Sequence, residues 1–152
     1  MKIAVGSDER TELTDAVLKR LRTDGHEVLL FGPLADQSVT WPLVARWVAE
    51  AVVQGRADEG LLFCWTGTGV SIAANKVPGV RAALCDDAET VRGARLWNNA
   101  NVLCLSLRRV SQAIAMEILE AWYGQVYQSN PEDDACLEAV MEIERTYSHE
   151  KP

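Results

Sequence analysis

The sequence predicts an α/β fold, a parallel sheet with covering helices and one extra helix at the C-terminus. Three observations predict it. Apolar runs of strand length alternate along the chain with longer segments of helical period, the signature of β-α units. The 152 residues suit a single domain spanning 1–152. Hydrophobic residues make up 48% and charged residues 24% of the chain, the balance of a globular protein that builds its own core.

The first strand is read at Lys2–Gly6, and Thr11–Thr23 follows as a helix with Leu13, Val17, Leu18 and Leu21 at helical spacing, closed by Asp24-Gly25. Glu27–Phe31 is a second apolar run, ended by Gly32-Pro33. Trp41-Pro42 opens a helix that reaches Val53, because proline suits the first turn. Leu61–Cys64 is the third strand, and the loop Trp65-Thr66-Gly67-Thr68-Gly69 leads into a short helix at Val70–Lys76. A strand at Val80–Cys85, a helix at Ala88–Trp97, a strand at Val102–Leu105 and an amphipathic helix at Arg109–Trp122 complete the alternation. After the polar break Gln128-Ser129-Asn130, a last helix from Pro131 to about Tyr147 carries Leu137, Val140 and Met141 at helical spacing. It either packs on its own domain or reaches a partner subunit.

Charge and composition exclude several classes of function. The net charge of −7 repels phosphate backbones and anionic lipid, so nucleic acid and membrane are not expected as partners. The opening Met-Lys-Ile-Ala-Val-Gly-Ser-Asp meets charge too early for a signal peptide, and no apolar run reaches the roughly 20 residues of a membrane helix. A soluble, cytoplasmic protein is the expectation. Cys64, Cys85, Cys104 and Cys136 lack paired metal-ligand spacing, and His26 and His149 stand far apart. No metal and no cofactor are expected.

An open parallel sheet binds ligands at the carboxyl ends of its strands, so the residues after Gly6, Cys64, Cys85 and Leu105 are the candidates. Gly67 and Gly69 allow backbone amides to approach a bound anion, although such a turn between strand and helix is more often plain turn chemistry. Cys64 closes its strand where a thiolate can take a proton from a carbon beside a carbonyl; the alternative is a buried, inert thiol, as expected for the other three cysteines. Asp8 suits a sugar hydroxyl or a proton shuttle, and equally a helix cap. Arg108 and Arg109 offer cations at the same edge or simply a solvated surface.

The run Cys64-Trp65-Thr66-Gly67-Thr68-Gly69-Val70-Ser71-Ile72-Ala73-Ala74-Asn75-Lys76 resembles the signature loop and helix of the type B ribose-5-phosphate isomerase and galactose-6-phosphate isomerase family. The likeness extends to Lys2–Asp8, Gly25-His26-Glu27-Val28, Val80–Cys85 and Asn98–Leu103, in the family's order. It implies a Rossmann-like three-layer αβα sandwich on a five-stranded sheet, and a homodimer or homotetramer, or a pairing with a paralogous subunit, with an active site shared between chains. It also implies metal-free interconversion of aldose and ketose through an enediolate. Cys64 then moves the proton, the amides from Gly67 to Gly69 hold the oxyanion, and Asp8, Thr66, Thr68, Ser71 and Asn98 or Asn99 contact the substrate.

The chain departs from the family pattern in ways that bear on its substrate. Asp8 is followed by Glu9 where most members have histidine, and Trp97 stands in the place of the ring-opening histidine. Indole has one N–H donor and no basic site at neutral pH. Trp41 and Trp65 replace smaller or more polar residues, and together with Trp97 they are expected to line one pocket. The C-terminal phosphate-gripping pattern is replaced by Asn130-Pro131-Glu132-Asp133-Asp134, which leaves Arg108 as the retained cation. The expected function is therefore an aldose–ketose isomerase acting on a non-standard or unphosphorylated sugar, or else a catalytically silent sugar-binding or regulatory subunit of the same fold.

Overall fold

The computed structural model describes residues 1–148, so the tail containing His149 lies outside the described residues. Five parallel strands, β1 (Lys2–Ser7), β2 (Glu27–Phe31), β3 (Glu59–Cys64), β4 (Ala82–Leu84) and β5 (Val102–Ser106), lie in the order β2-β1-β3-β5-β4. The helices are α1 (Glu12–Thr23), α2 (Trp41–Val53), α3 (Thr68–Ala74), α4 (Ala88–Leu96), α5 (Gln112–Tyr123) and α6 (Pro131–Tyr147), with one turn of 3-10 helix at Gly32–Ala35. Among the described residues no helix is long and apolar enough to cross a membrane.

The two-residue period of the strands sorts the core into two layers. Ile3, Val5, Leu61, Phe63, Leu103 and Leu105 face α1, α4 and α5, while Ala4, Leu62, Cys64, Val102 and Cys104 face α2 and α3. Both faces are covered by helices, as a parallel sheet requires. Gly6 and Gly60 let α2 lie close to the sheet, since a Cβ at either position would meet Val48 at 2.8 Å.

Most boundaries fall where the local chemistry puts them. Thr11 caps α1 through a reciprocal hydrogen-bonded box with Thr14, and Ser111 caps α5 by accepting from the Ile114 amide, which moves the helix start from Arg109 to Gln112. β3 begins two residues earlier than Leu61, because Glu59 is buried in a polar network rather than exposed. Its carboxylate accepts the indole N–H of Trp122 at 2.6 Å and pairs with Arg95 at 2.7 Å, and the guanidinium lies over the Trp122 ring. α3 begins at Thr68 rather than Val70, with Gly67 as its left-handed N-cap at φ 76°. β4 is shorter than expected, since Val80 and Arg81 remain in the preceding turn.

The extra C-terminal helix is present, but none of its residues is buried. Its attachment to the body includes Glu144, whose two carboxylate oxygens accept from the Gly79 amide at 3.0 Å. Between α6 and the start of β4 lies a groove of about 790 Å³, with Val140, Ile143 and Tyr147 on one wall and Val80, Ala82 and Asn98 on the other.

Candidate active site

The connections decide where a ligand fits. The loop after β1 runs to α1 on one face of the sheet, the loop after β3 runs to α3 on the other, and the loop after β5 returns to α5 on the first face. Adjacent loops that leave in opposite directions open a crevice at the carboxyl edge. One such crevice lies on each side of the end of β3.

In the first crevice Asp8 and Cys64 are opposed. Ser7 and Phe63 are register partners, so Asp8, the first residue after β1, leaves the sheet next to the end of β3 at Cys64. Oδ1 of Asp8 is buried without a hydrogen-bond partner. Burial, with a smaller contribution from the neighbouring Glu9 charge, pushes the Asp8 carboxyl above the usual aspartate range, against its own backbone amide. A buried carboxylate oxygen with no donor is costly in a folded chain, and a substrate hydroxyl is a donor of the right kind. Asp8 does not cap α1, since Thr11 does. The turn after it is held by Ser7, whose hydroxyl donates to the Glu9 carbonyl and accepts from the Glu9 amide.

Cys64 stands at the end of β3 but is buried at 5% exposure, packed in the α2 and α3 layer. Of the two readings of the sequence, a thiolate at the strand end or a buried, inert thiol, the strand-end position and the burial are both present, and in the isolated chain Cys64 is nearly covered. Burial pushes the Cys85 thiol up to about 12, helped by the Asp87 and Asp86 charges, and raises that of Cys104. Both stay protonated at neutral pH and suit inert packing, whereas Cys136 is exposed on α6.

The glycine loop is shaped by packing as much as by turn geometry. A Cβ on Gly67 would lie 2.5 Å from Leu84 Cδ1 and 3.0 Å from the Leu105 carbonyl carbon, in a left-handed conformation besides. Gly69 carries the ring of Trp41, which a Cβ would meet at 3.1 Å. Thr66 and Thr68 share a hydroxyl–hydroxyl hydrogen bond of 2.7 Å, and both side chains remain exposed. Ser71 donates its amide to the Gly67 carbonyl. Asn75, the end of the motif, is bound up in structure, since its amide group joins Ser71 to both polar groups of Ala82.

The second crevice is a cavity of about 490 Å³ between the loops after β3, β4 and β5, lined by Thr66, Thr68, Asp86, Ser106, Arg108 and Arg109 together with Leu84 and Cys85. Ser106 is the register partner of Cys64. Its hydroxyl donates to the Trp65 carbonyl at 2.9 Å and accepts from the Arg109 amide at 3.2 Å, which ties the two loops together. Asp86 and Ser106 are the residues that directly follow Cys85 and Leu105, so the strand-end rule pointed to their positions without giving either a role.

Three expected residues are not brought to this edge. Trp97, Asn98 and Asn99 precede β5, whereas Cys64 is level with its far end at Ser106. Four steps along β5, about 13 Å, separate its start from Ser106, and the Trp97 and Asn98 side chains line a different cavity, of about 340 Å³, with Leu84 and Cys85 at the end of β4. The three tryptophans do not share a pocket within one chain: Trp41 covers Gly69, Trp65 is 58% exposed, and Trp97 folds back on Gly93 of its own helix at 61% exposure.

The model for the family described as Ribose/Galactose Isomerase matches residues 3–138. The ribose-5-phosphate isomerase B of Escherichia coli is 36% identical over 145 residues, covering 95% of this chain and 97% of that protein. A D-erythrulose-4-phosphate isomerase of Mycolicibacterium smegmatis is 38% identical over 130 residues, covering 82% and 84%. Among solved structures, ribose-5-phosphate isomerase B of Clostridium thermocellum superposes with a TM-score of 0.91 at 40% identity, over 97% of this chain and all of that one.

Proposed function

The chain belongs to the ribose/galactose isomerase family, and on that premise we propose that it is a metal-free aldose–ketose isomerase with its site at the end of β3, acting on a sugar other than ordinary ribose 5-phosphate. The observation that carries this reading is the partnerless Oδ1 of Asp8, the first residue after β1, next to the end of β3 at Cys64. The buried carboxylate accepts a substrate hydroxyl and so fixes the carbon chain. Cys64 takes the proton from the carbon next to the carbonyl and returns it to the neighbouring carbon. The negative charge passes meanwhile to the carbonyl oxygen, where amides of the Gly67–Gly69 loop meet it, and the proton of the hydroxyl on the adjacent carbon moves to that oxygen as the carbonyl shifts to that carbon. Thr66, Thr68 and Ser71 serve the hydroxyls of the bound chain, and the exposed faces of Trp41 and Trp65 offer apolar surface to its C–H groups.

The non-standard substrate is supported by the charges. The first turn of α6 carries Glu132, Asp133 and Asp134 where the family resemblance expects phosphate-gripping cations, so this segment offers a phosphate dianion no guanidinium. Trp97 has no proton to exchange at neutral pH, so a substrate that reaches the site already open suits this chain.

We also propose a homodimer or dimer of dimers, or pairing with a paralogous chain. The support is twofold: Trp97, Asn98 and Asn99 join the site only if a second copy supplies them, and α6 leaves Val140, Ile143 and Tyr147 uncovered along its groove. Sedimentation equilibrium tests this, since a monomer at micromolar concentration would remove the shared site. We read the protein as soluble and cytoplasmic, in keeping with a diffusible sugar substrate.

The low exposure of Cys64 favours a second reading, a subunit that binds a sugar without turning it over. The two are separated by giving the purified chain a panel of aldoses and following ketose formation by NMR alongside calorimetry. Turnover by the chain alone supports the isomerase, and binding without turnover supports the silent subunit.

A further inference from the structure

The Arg109 guanidinium pairs with the Asp86 carboxylate at 2.9 Å on the rim of the cavity beside the glycine loop. Both side chains are substantially exposed, 69% and 42%, so the pair adds little to stability. Its effect is on the charge of the cavity. Arg108 lines the same wall, and no ion pair among the described residues involves it. The charged side chains that line the cavity are therefore one occupied guanidinium, one open guanidinium and one carboxylate, a net of one positive charge on the lining, and the Asp87 carboxylate next to Asp86 adds negative charge close by at Cys85, inside a chain of net −7. An open guanidinium accepts one carboxylate as a two-pronged partner. A phosphomonoester brings close to two negative charges at neutral pH, and the second faces Asp86 rather than a free cation.

We propose that the Asp86–Arg109 pair determines substrate specificity, by restricting the end of the substrate remote from the carbonyl to a single negative charge, so that the site selects a sugar acid over a sugar phosphate. This rests on the isomerase reading for the identity of the bound sugar. Geometry supports it at the point where the two crevices meet. Ser106 lines the cavity and is the register partner of Cys64, so a sugar with its reacting carbons at the end of β3 extends its far end toward Arg108. The hydroxyls of Thr66 and Thr68 lie along the way.

The test compares D-galacturonate with galactose 6-phosphate, which differ at C6 in the group and its charge, by calorimetry at pH 8 in the full-length Cys64→Ala protein. Turnover plays no part in this measurement, so a chain that fails as an isomerase can still pass or fail here. The parent protein binds galacturonate more tightly. Asp86→Asn raises the affinity for galactose 6-phosphate about three- to tenfold relative to galacturonate, Arg109→Gln weakens both anions by a similar factor, and the double variant returns near the parent values. The differences shrink in 0.5 M salt, where screening is within roughly 5 Å. Unchanged preference in Asp86→Asn overturns the proposal, as does a double variant that loses binding altogether, which would mark the pair as a structural brace. Absence of binding to either sugar in all four proteins also overturns it.

Discussion

Cys64 and Ser106 are register partners at the carboxyl ends of β3 and β5, and the Ser106 hydroxyl bridges the Trp65 carbonyl and the Arg109 amide. A buried side chain that bears no chemistry thereby sets the spacing between the residue proposed as base and the cations proposed to read the substrate. Ser106→Ala leaves the Trp65 carbonyl without this donor. The expected cost is about 1–2 kcal/mol of stability by denaturant titration, with a larger proportional loss of kcat than of affinity.

Gly67 and Gly69 lie two residues apart but differ in what surrounds them. At Gly67 a methyl group meets Leu84 and the Leu105 backbone in a left-handed conformation, so Gly67→Ala should cost about 2–4 kcal/mol and abolish turnover. At Gly69 the neighbour is the half-exposed Trp41 ring, which can tilt away. Gly69→Ala should cost less than about 1.5 kcal/mol and be read in KM. Thermal unfolding of the two variants side by side checks the order.

Asp8 should trade stability for function. Its carboxyl is raised above the ordinary 3.8 by burial, so folding favours the protonated form. The stabilising contribution is then present at acid pH and is lost as pH rises through the folded-state value, leaving the ionised group a cost at neutral pH. Asp8→Asn should unfold at pH 7 no lower than the parent, and up to a few degrees higher. The advantage should vanish below pH 3.8. In the same variant kcat/KM should fall by at least tenfold.

Glu59 lies at the opposite end of β3, where it serves stability alone. Glu59→Ala strands Arg95, whose other partners are the Ala100 and Gln125 carbonyls and the Trp122 face. The expected loss is about 3–5 kcal/mol by denaturant unfolding.

This network also marks how far the sequence could be read. Periodicity and capping chemistry placed all five strands and six helices, because the buried stripes of α1 to α5 match one face of the sheet and α6 is marked by Asn130 as its cap and Pro131 in its first turn. Glu59 escaped, since a carboxylate reads as exposed until Trp122 and Arg95, 63 and 36 positions away, close on it. The candidate site was legible where function follows strand order, at Asp8, Cys64 and the glycine loop. It was not legible where it depends on which face each loop leaves by. That brings Asp86 to Arg109 across the ends of β4 and β5, whereas the separation of Trp97 from Cys64 follows from its place before β5 rather than after it.

Solvent-deuterium incorporation is the most direct test of the isomerase reading. The protein is incubated in heavy water with a panel of open-chain and cyclic aldoses and ketoses, and C1 and C2 are read by NMR for the parent and for Cys64→Ala. The account predicts exchange at those carbons with at least one sugar, falling at least a thousandfold in Cys64→Ala while calorimetric binding persists. No exchange with any sugar, or equal exchange in the two proteins, would contradict it.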